Sequence, residues 1–152
     1  MEVFRISSSK YSNKLVASGK AARWNRDNQF VLYTGQSIAL STLEVVVHKS
    51  SIKTAIRYDL MVISLTEDER FYTRKFIKDM PTNWRDIKAY PALQDIGSEW
   101  YTNNQSLILQ VPSVIVPQEF NYIINLHHPD FLTNVSLARN EEFFWDDRLL
   151  IL

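Results

Sequence analysis

Cysteine is absent from the sequence. Its absence excludes disulfide bridges, zinc–thiolate sites, iron–sulfur clusters and cysteine nucleophiles. Small secreted domains often depend on disulfides, and the first residues, Met1 to Ile6, show neither the apolar segment nor the cleavage motif of a signal peptide. No apolar run is longer than four residues, whereas a membrane helix needs about 20. We therefore expect a soluble, cytoplasmic protein that does not enter a membrane.

Glycine is also scarce, and the chain has only Gly19, Gly35 and Gly97. The Walker loop and the Rossmann fingerprint both need clustered glycines, because phosphate must come close to backbone N–H groups. These two nucleotide-binding motifs are therefore excluded, although other ways of binding a nucleotide are not.

The remaining composition is that of a folded domain of 152 residues, with 45% hydrophobic and 12% aromatic side chains. A chain of this length buries enough surface to fold without a metal or a disulfide, so we expect one domain spanning residues 1–152. Lys+Arg and Asp+Glu each number 17, which gives no net charge. Direct binding of nucleic acid through counterion release is therefore not expected, whereas weak self-repulsion favours association with another protein or with itself.

The hydrophobic spacing predicts an α+β fold, with a mixed or antiparallel sheet and flanking helices, because strands and helices alternate irregularly and strands dominate late. Ser37 is a candidate N-cap for the first helix, and Pro91 suits the first turn of the second. No helix or strand is predicted for residues 66–79, where charges of both signs are mixed. Strands are predicted over 3–6, 30–33, 55–65, 107–112, 120–126 and 141–152, and helices over 37–48 and 91–103.

Glu44 is the most unusual polar residue of the pattern, because it interrupts an apolar helical stretch between Leu43 and Val45. It is either a functional carboxylate or a surface glutamate paired with His48 one helical turn later. Arg5 lies in a short strand between Phe4 and Ile6, where an exposed edge position is the more ordinary explanation.

Four further polar residues lie at strand ends or in loops, where ligand contacts tend to collect. Arg23 either binds a ligand or stacks on Trp24, and a buried hydroxyl is the commoner fate of a tyrosine such as Tyr33. Ser113 and Asn125 are, on pattern alone, turn or capping residues. The adjacent His127 and His128 point apart on a strand and lack further ligands, so we expect no metal site.

Short strings along nearly the whole chain, taken in order, resemble the RES domain family, which is named for characteristic Arg, Glu and Ser residues. The chain departs from the family pattern at Ala21-Ala22, where glycines are usual, and at Leu126, where proline is usual. The strings are Arg5 and residues 19–25, 30–33, 37–48, 83–85, 96–100, 109–113, 121–129 and 143–149.

The resemblance implies a toxin of a bacterial type II toxin–antitoxin pair, with a fold similar to the ADP-ribosyltransferase toxins. Such proteins consume NAD+ by phosphorolysis or hydrolysis, and some transfer ADP-ribose to a protein. NAD+ is then the substrate, with inorganic phosphate as a possible co-substrate, and no cofactor is expected. The implied partner is an antitoxin with a helix-turn-helix DNA-binding part, and oligomers are expected through that complex.

The resemblance also implies roles for the candidate residues. Glu44 and Arg5 are the expected catalytic residues. Arg5 and Arg23 would grip pyrophosphate and ribose, Tyr33 would stack on a ring, and Ser113 would hold the nicotinamide ribose. Asn125 is a further candidate for binding the substrate. An ADP-ribosyltransferase would use the same residues, and a non-catalytic interaction module would keep only the fold.

Overall fold

The computed structural model describes residues 1–48, 50 and 52–151. Seven strands form one sheet in the order β4-β5-β6-β2-β1-β3-β7. Each strand pair is antiparallel except β4–β5, which is parallel, so the expected α+β fold with a mixed sheet is confirmed. The strands are β1 (Glu2–Ser8), β2 (Val31–Gly35), β3 (Tyr58–Leu65), β4 (Tyr72–Arg74), β5 (Ile108–Pro112), β6 (Phe120–Asn125) and β7 (Val135–Phe143).

Among the described residues, three α-helices accompany the sheet: α1 (Ile38–Val46), α2 (Tyr90–Thr102) and the single turn α3 (Phe131–Asn134). Ser37 caps α1 as predicted, because its side chain accepts a hydrogen bond from the amide of Leu40. Pro91 lies in the first turn of α2, also as predicted. Within the described part of the chain, no helix has the length and apolar character needed to cross a membrane.

The strand alternation divides the buried side chains between the two faces of the sheet. One face carries a continuous core that includes Leu32, Met61 and Ile124. The other face carries two separate clusters. One packs beneath α2 around Leu93, and the other, around Val62, contacts α1 through Val45. Between these two clusters lies a cleft lined by four of the candidate residues, Arg5, Arg23, Tyr33 and Glu44.

The sheet is weakly joined at its centre. β1 pairs with β3 over its full length, from Glu2 to Ser8, but it pairs with β2 only where Phe4 lies opposite Gly35. A cleft therefore opens between β1 and β2 beyond that pair, where it is lined by Arg5, Ile6, Tyr33 and Thr34. Gly35 is needed here for space, since an added Cβ would lie 2.6 Å from the hydroxyl oxygen of Ser41 on α1.

The end of the chain differs from the prediction. The expected strand over 141–152 is confirmed only for residues 141–143, which belong to β7. It is wrong beyond them, because β7 ends at Phe143 and residues 147–149 form a 3-10 helix whose N-cap is Asp146. Phe143 and Trp145 instead pack edge-to-face, with ring centroids 4.9 Å apart. Leu152 lies outside the described residues.

The sequence analysis missed β4 and most of β7, and the reason is the same for both strands. In β7 only Val135 is buried, so this edge strand lacks an apolar alternation. β4 has three half-buried residues inside the segment that received no element, and it exists because it pairs with β5. Both strands are defined by their pairing with a neighbouring strand, and their local sequence pattern does not predict that pairing.

Gly97 is the position where α2 approaches the loop after β1 most closely. An added Cβ would overlap the main-chain carbonyl of Trp24, a contact with backbone that no side-chain rotation relieves. Only glycine permits this approach.

We expect Gly97→Ala to lower the free energy of unfolding by about 1–3 kcal/mol, the usual cost of overpacking. At an open helical position the same change would raise it by about 1 kcal/mol. Ala92→Gly at an exposed position of α2 is the matched control and should cost only that propensity difference. Urea unfolding of the three proteins tests this. A Gly97→Ala protein as stable as wild type would contradict the close approach.

Candidate active site

A cleft of about 570 Å³ lies where β1 and β2 diverge, between the two clusters under α1 and α2. Its volume falls in the range of small-molecule binding sites. Four of the six residues proposed from the sequence line it. The polar lining residues are Arg5, Arg23, Tyr33, Thr34, Ser41, Glu44, His48, Tyr90 and Asn121.

Glu44 projects from α1 into the cleft. Burial raises the pKa of its carboxyl group above the usual 4.5, and hydrogen bonds from Asn121 and Ser113 oppose that rise. Electrostatic interactions of Glu44 with His48 and Arg23 also oppose the rise of its pKa. The sequence left open whether Glu44 was a surface residue or a functional one, and the structure places it half-buried at the cleft wall.

Ser113 lies behind Glu44, not in the cleft itself. Its side chain is fully buried, and its hydroxyl donates to Oε1 of Glu44 over 3.2 Å. The hydroxyl oxygen of Ser113 also accepts hydrogen bonds from the amides of Ile115 and Val116, at 3.1 and 3.2 Å. Where the sequence suggested a contact with ribose, the structure places the hydroxyl so that it orients the carboxylate.

Arg5 lines the cleft from β1 and bridges to β2 where the two strands diverge. Its Nη1 donates to the carbonyl oxygen of Tyr33 over 3.0 Å, which satisfies a backbone group that β1 no longer pairs. Burial lowers the pKa of the Arg5 guanidinium. A half-buried cation at the cleft wall, with one neutral acceptor, suits the binding of an anion.

Arg23 reaches the cleft from the loop between β1 and β2. Its guanidinium carbon lies 4.5 Å from the ring centroid of Tyr90, a cation–π contact, and its Nη1 donates to the carbonyl of Trp84 over 3.1 Å. The sequence alternative, stacking on Trp24, is not what the structure shows. Trp24 is instead buried in the cluster under α2.

Tyr33 lines the cleft with its ring, while its hydroxyl is used internally. The hydroxyl accepts a hydrogen bond from the amide of Trp24 over 3.0 Å and donates to Oδ1 of Asn25 over 2.7 Å. Burial raises the pKa of Tyr33. The ring therefore has a fixed position from which it can pack against a ligand.

The structure does not bring Asn125 to the cleft. Its side chain is buried at the end of β6, where Oδ1 accepts from the amide of His127 and Nδ2 donates to Asn104. It acts as the turn residue that the sequence offered as its alternative role. Asn121, four residues earlier on the same face of β6, is the asparagine that lines the cleft.

Sequence reasoning missed Asn121, Tyr90 and Ser41. Asn121 begins the string over 121–129 that resembles the RES domain, so a signal was present, but only the strand register separates it from Asn125. Asn121 lies opposite Gly35 in β2, at the cleft, whereas Asn125 lies opposite Val31. Tyr90 carries no signal of its own, because its role depends on where Arg23 folds.

The charges of the cleft suit a particular kind of ligand. Within the described part of the chain, neither Arg5 nor Arg23 forms an ion pair with a carboxylate. Two such guanidiniums attract phosphate groups, which they bind bidentately. A hydrogen-bonded carboxylate, Glu44, stabilises positive charge that develops on a bound sugar. The side chains of the cleft are thus of the types that suit a phosphate group and a sugar carbon that becomes positively charged.

Comparison with known proteins identifies a matching family model and similar sequences. The family model described as RES domain matches residues 2–146. Toxin Res of Yersinia enterocolitica is 35% identical over 127 residues, which cover 84% of this chain and 82% of that protein. The Prs ADP-ribosylating toxin of a Sphingobium species is 31% identical over 130 residues, covering 84% of this chain and 80% of that protein.

The fold also matches a solved structure. A chain in the crystal structure of the M. tuberculosis MbcT–MbcA toxin–antitoxin complex superposes with a TM-score of 0.74, covering 93% of this chain and 83% of that one. The two sequences are 13% identical, so this similarity establishes the fold.

The raised pKa of Glu44 makes stability depend on pH in a defined direction. Because ionisation is disfavoured in the folded state, stability falls as pH rises from the unfolded-state pKa through the folded-state pKa, by about 1.4 kcal/mol for each unit between them. Glu44→Gln removes this loss. We therefore expect the variant to be more stable than wild type at pH 8, with the difference shrinking toward pH 4.

Urea unfolding at both pH values measures this difference. Glu99→Gln, an exposed glutamate on α2, is the matched control and should not reproduce it. A Glu44→Gln protein that is less stable than wild type at pH 8 would contradict the assigned burial of the carboxylate.

Proposed function

This chain belongs to the RES domain family, and on that premise we propose that it is a toxin that consumes NAD+ by cleaving its nicotinamide N-glycosidic bond. The family match covers residues 2–146, and the similarity to the Yersinia protein extends over most of both chains. The activity follows from the family resemblance together with the chemistry of the cleft.

One observation supports this proposal most directly. A single carboxylate, held by a buried hydroxyl at 3.2 Å, shares a cleft of about 570 Å³ with two guanidiniums that lack carboxylate partners among the described residues. NAD+ presents a pyrophosphate anion and a ribose carbon that becomes positively charged as the bond breaks. The cleft offers a complementary group for each.

The two arginines bind the substrate in this proposal. Arg5, at the gap between β1 and β2, and Arg23, stacked on Tyr90, hold pyrophosphate and ribose oxygens. The ring of Tyr33 packs against a ring of the dinucleotide. Asn121 and Ser113 keep the Glu44 carboxylate oriented and ionised by donating hydrogen bonds to it.

Glu44 acts at the transition state. As the C1′–N bond breaks, its electron pair leaves with neutral nicotinamide, and positive charge spreads over C1′ and the ring oxygen. The carboxylate stabilises that charge and orients the incoming nucleophile. Attack by an oxygen of inorganic phosphate gives ADP-ribose 1″-phosphate. Attack by water gives ADP-ribose and releases a proton.

Transfer of ADP-ribose to a protein is the second candidate. The relative from Sphingobium is named a Prs ADP-ribosylating toxin and is 31% identical. Such transfer needs the same bond cleavage and the same residues, with a protein side chain as the nucleophile. Only the identity of the acceptor separates the two candidates.

We also propose an antitoxin as the partner of this chain. The MbcT–MbcA structure, which shares the fold, is a toxin–antitoxin complex. An antitoxin with a helix-turn-helix DNA-binding part and a segment that covers the cleft would keep the enzyme inactive. Higher assemblies would then form through the antitoxin.

The proposal predicts that the purified chain releases nicotinamide from NAD+ and that Glu44→Gln lowers kcat by about 100-fold or more, the scale of losing a transition-state contact. Release is measured with and without inorganic phosphate, with labelled NAD+ and a cell extract as a third condition. Dependence on phosphate identifies phosphorolysis, and label on a protein identifies transfer.

Glu99→Gln is the control for this experiment, since it removes a carboxylate from an exposed position of α2. It should leave kcat unchanged. Near-wild-type turnover in folded Glu44→Gln protein would remove Glu44 from the mechanism, and the absence of nicotinamide release in all three conditions would contradict the proposed function.

Arg23→Ala tests the binding role separately. Because Arg23 holds groups that do not change during bond cleavage, its loss should raise KM by about tenfold and change kcat little. Initial rates over a range of NAD+ concentrations measure both constants. Arg26→Ala, an exposed arginine three residues away, is the control. An Arg23→Ala protein with both constants unchanged would contradict the assigned contact.

A further inference from the structure

Arg23 is held at the cleft by a four-residue turn, Ala22 to Asn25. The amide of Ala22 donates to the carbonyl of Asn25 over 3.0 Å, and these two residues form an isolated antiparallel bridge. Arg23 and Trp24 are the two central residues of the turn. The position of the guanidinium therefore depends on whatever fixes this turn.

The Asn25 side chain fixes the turn from within. It is 1% exposed, and its Nδ2 donates to the carbonyls of Lys20, Arg26 and Gln29 at 2.9, 3.1 and 3.3 Å. Its Oδ1 accepts from the Tyr33 hydroxyl at 2.7 Å. The opposite amide orientation would place an acceptor against three carbonyls, so the network permits one orientation only.

The Tyr33 hydroxyl fixes the turn to the sheet. It uses its donor on Asn25 and accepts from the amide of Trp24 over 3.0 Å. One phenol thus bonds both a main-chain group and a side chain of the same turn. Because the Tyr33 hydroxyl makes these two hydrogen bonds, we assign it a role in holding the turn and not in contacting the ligand.

Helix α2 holds the other side of the turn. Nε2 of Gln94 donates to the carbonyl of Ala22 over 2.8 Å, and Gly97 lies against the carbonyl of Trp24. These two contacts restrain the residues on either side of Arg23, Ala22 and Trp24, through their backbone carbonyl groups. The bonds from Asn25 and Tyr33 connect the same turn to β2, which lines the cleft.

From this network we propose that Asn25 is a positioning residue that, through the Tyr33 hydroxyl, holds Arg23 in place to bind the substrate. This inference rests on the proposed function for the identity of the ligand. Asn25 does not line the cleft and does not touch the ligand. Its contribution is preorganisation, since a turn already ordered loses less entropy when its arginine binds an anion.

The test compares NAD+ kinetics of wild type, Asn25→Ala, Tyr33→Phe and the double variant. We expect each single variant to raise KM by about tenfold with kcat within about threefold, because substrate is held less well but the Glu44 chemistry is intact. The double variant should raise KM no more than about twofold beyond the larger single effect, since both changes break one connection.

Asn140→Ala is the matched control. Asn140 also donates from its side chain to a main-chain carbonyl, that of Ser12 at 2.7 Å, but it lies on β7 at the far edge of the sheet. It should leave KM unchanged. A KM change below twofold in both folded single variants, or effects that multiply in the double variant, would overturn the proposal. If Asn25→Ala does not fold, Tyr33→Phe decides, since it removes one oxygen only.

A second measurement does not depend on turnover. Amide exchange followed by NMR should show faster exchange at Trp24 in Asn25→Ala and Tyr33→Phe, and unchanged exchange there in Asn140→Ala. Unchanged protection in the first two variants would overturn the proposed connection. Wild-type protein that releases no nicotinamide but shows the expected exchange would contradict the proposed function and leave the connection standing.

Discussion

The sheet is joined between β1 and β2 by a single residue pair, Phe4 opposite Gly35. Backbone groups next to that pair therefore lack a partner in the neighbouring strand. The carbonyl of Tyr33 is one of them, and the guanidinium of Arg5 satisfies it. The absence of a side chain at Gly35 lets Ser41 of α1 come close to the junction. The cleft, the half-buried Arg5 and the close approach of α1 are all found at this narrow junction.

The two signs of charge in the cleft are stabilised differently. Burial disfavours the ionised form of Glu44, and hydrogen bonds from Asn121 and Ser113 favour it. The hydroxyl oxygen of Ser113 in turn accepts hydrogen bonds from two backbone amides. Arg5 and Arg23 each have a carbonyl acceptor and, among the described residues, no carboxylate. Protein dipoles thus keep each ion in place without neutralising it. An anionic ligand meets two cations whose charge is still available.

Features with a local cause were predictable from the sequence. The N-cap at Ser37 and the strands near 30–33 and 120–126 follow from capping chemistry and bounded apolar runs. Features that arise from pairing were not. β7 is exposed along nearly its whole length, and only register distinguishes Asn121 from Asn125. The family resemblance placed Arg5, Arg23, Tyr33 and Glu44 in one site, whereas the internal use of the Tyr33 and Ser113 hydroxyls required the folded structure.

The bonds that complete the cleft connect distant parts of the chain. Gln94 fastens the turn carrying Arg23 across 72 positions, and Ser113 meets Glu44 across 69. During synthesis the N-terminal half leaves the ribosome first, with Arg23 and Glu44 but without Gln94 and Ser113. Closing loops of this length costs chain entropy before the contacts can form. The complete cleft therefore forms only after synthesis has passed β5 and Ser113.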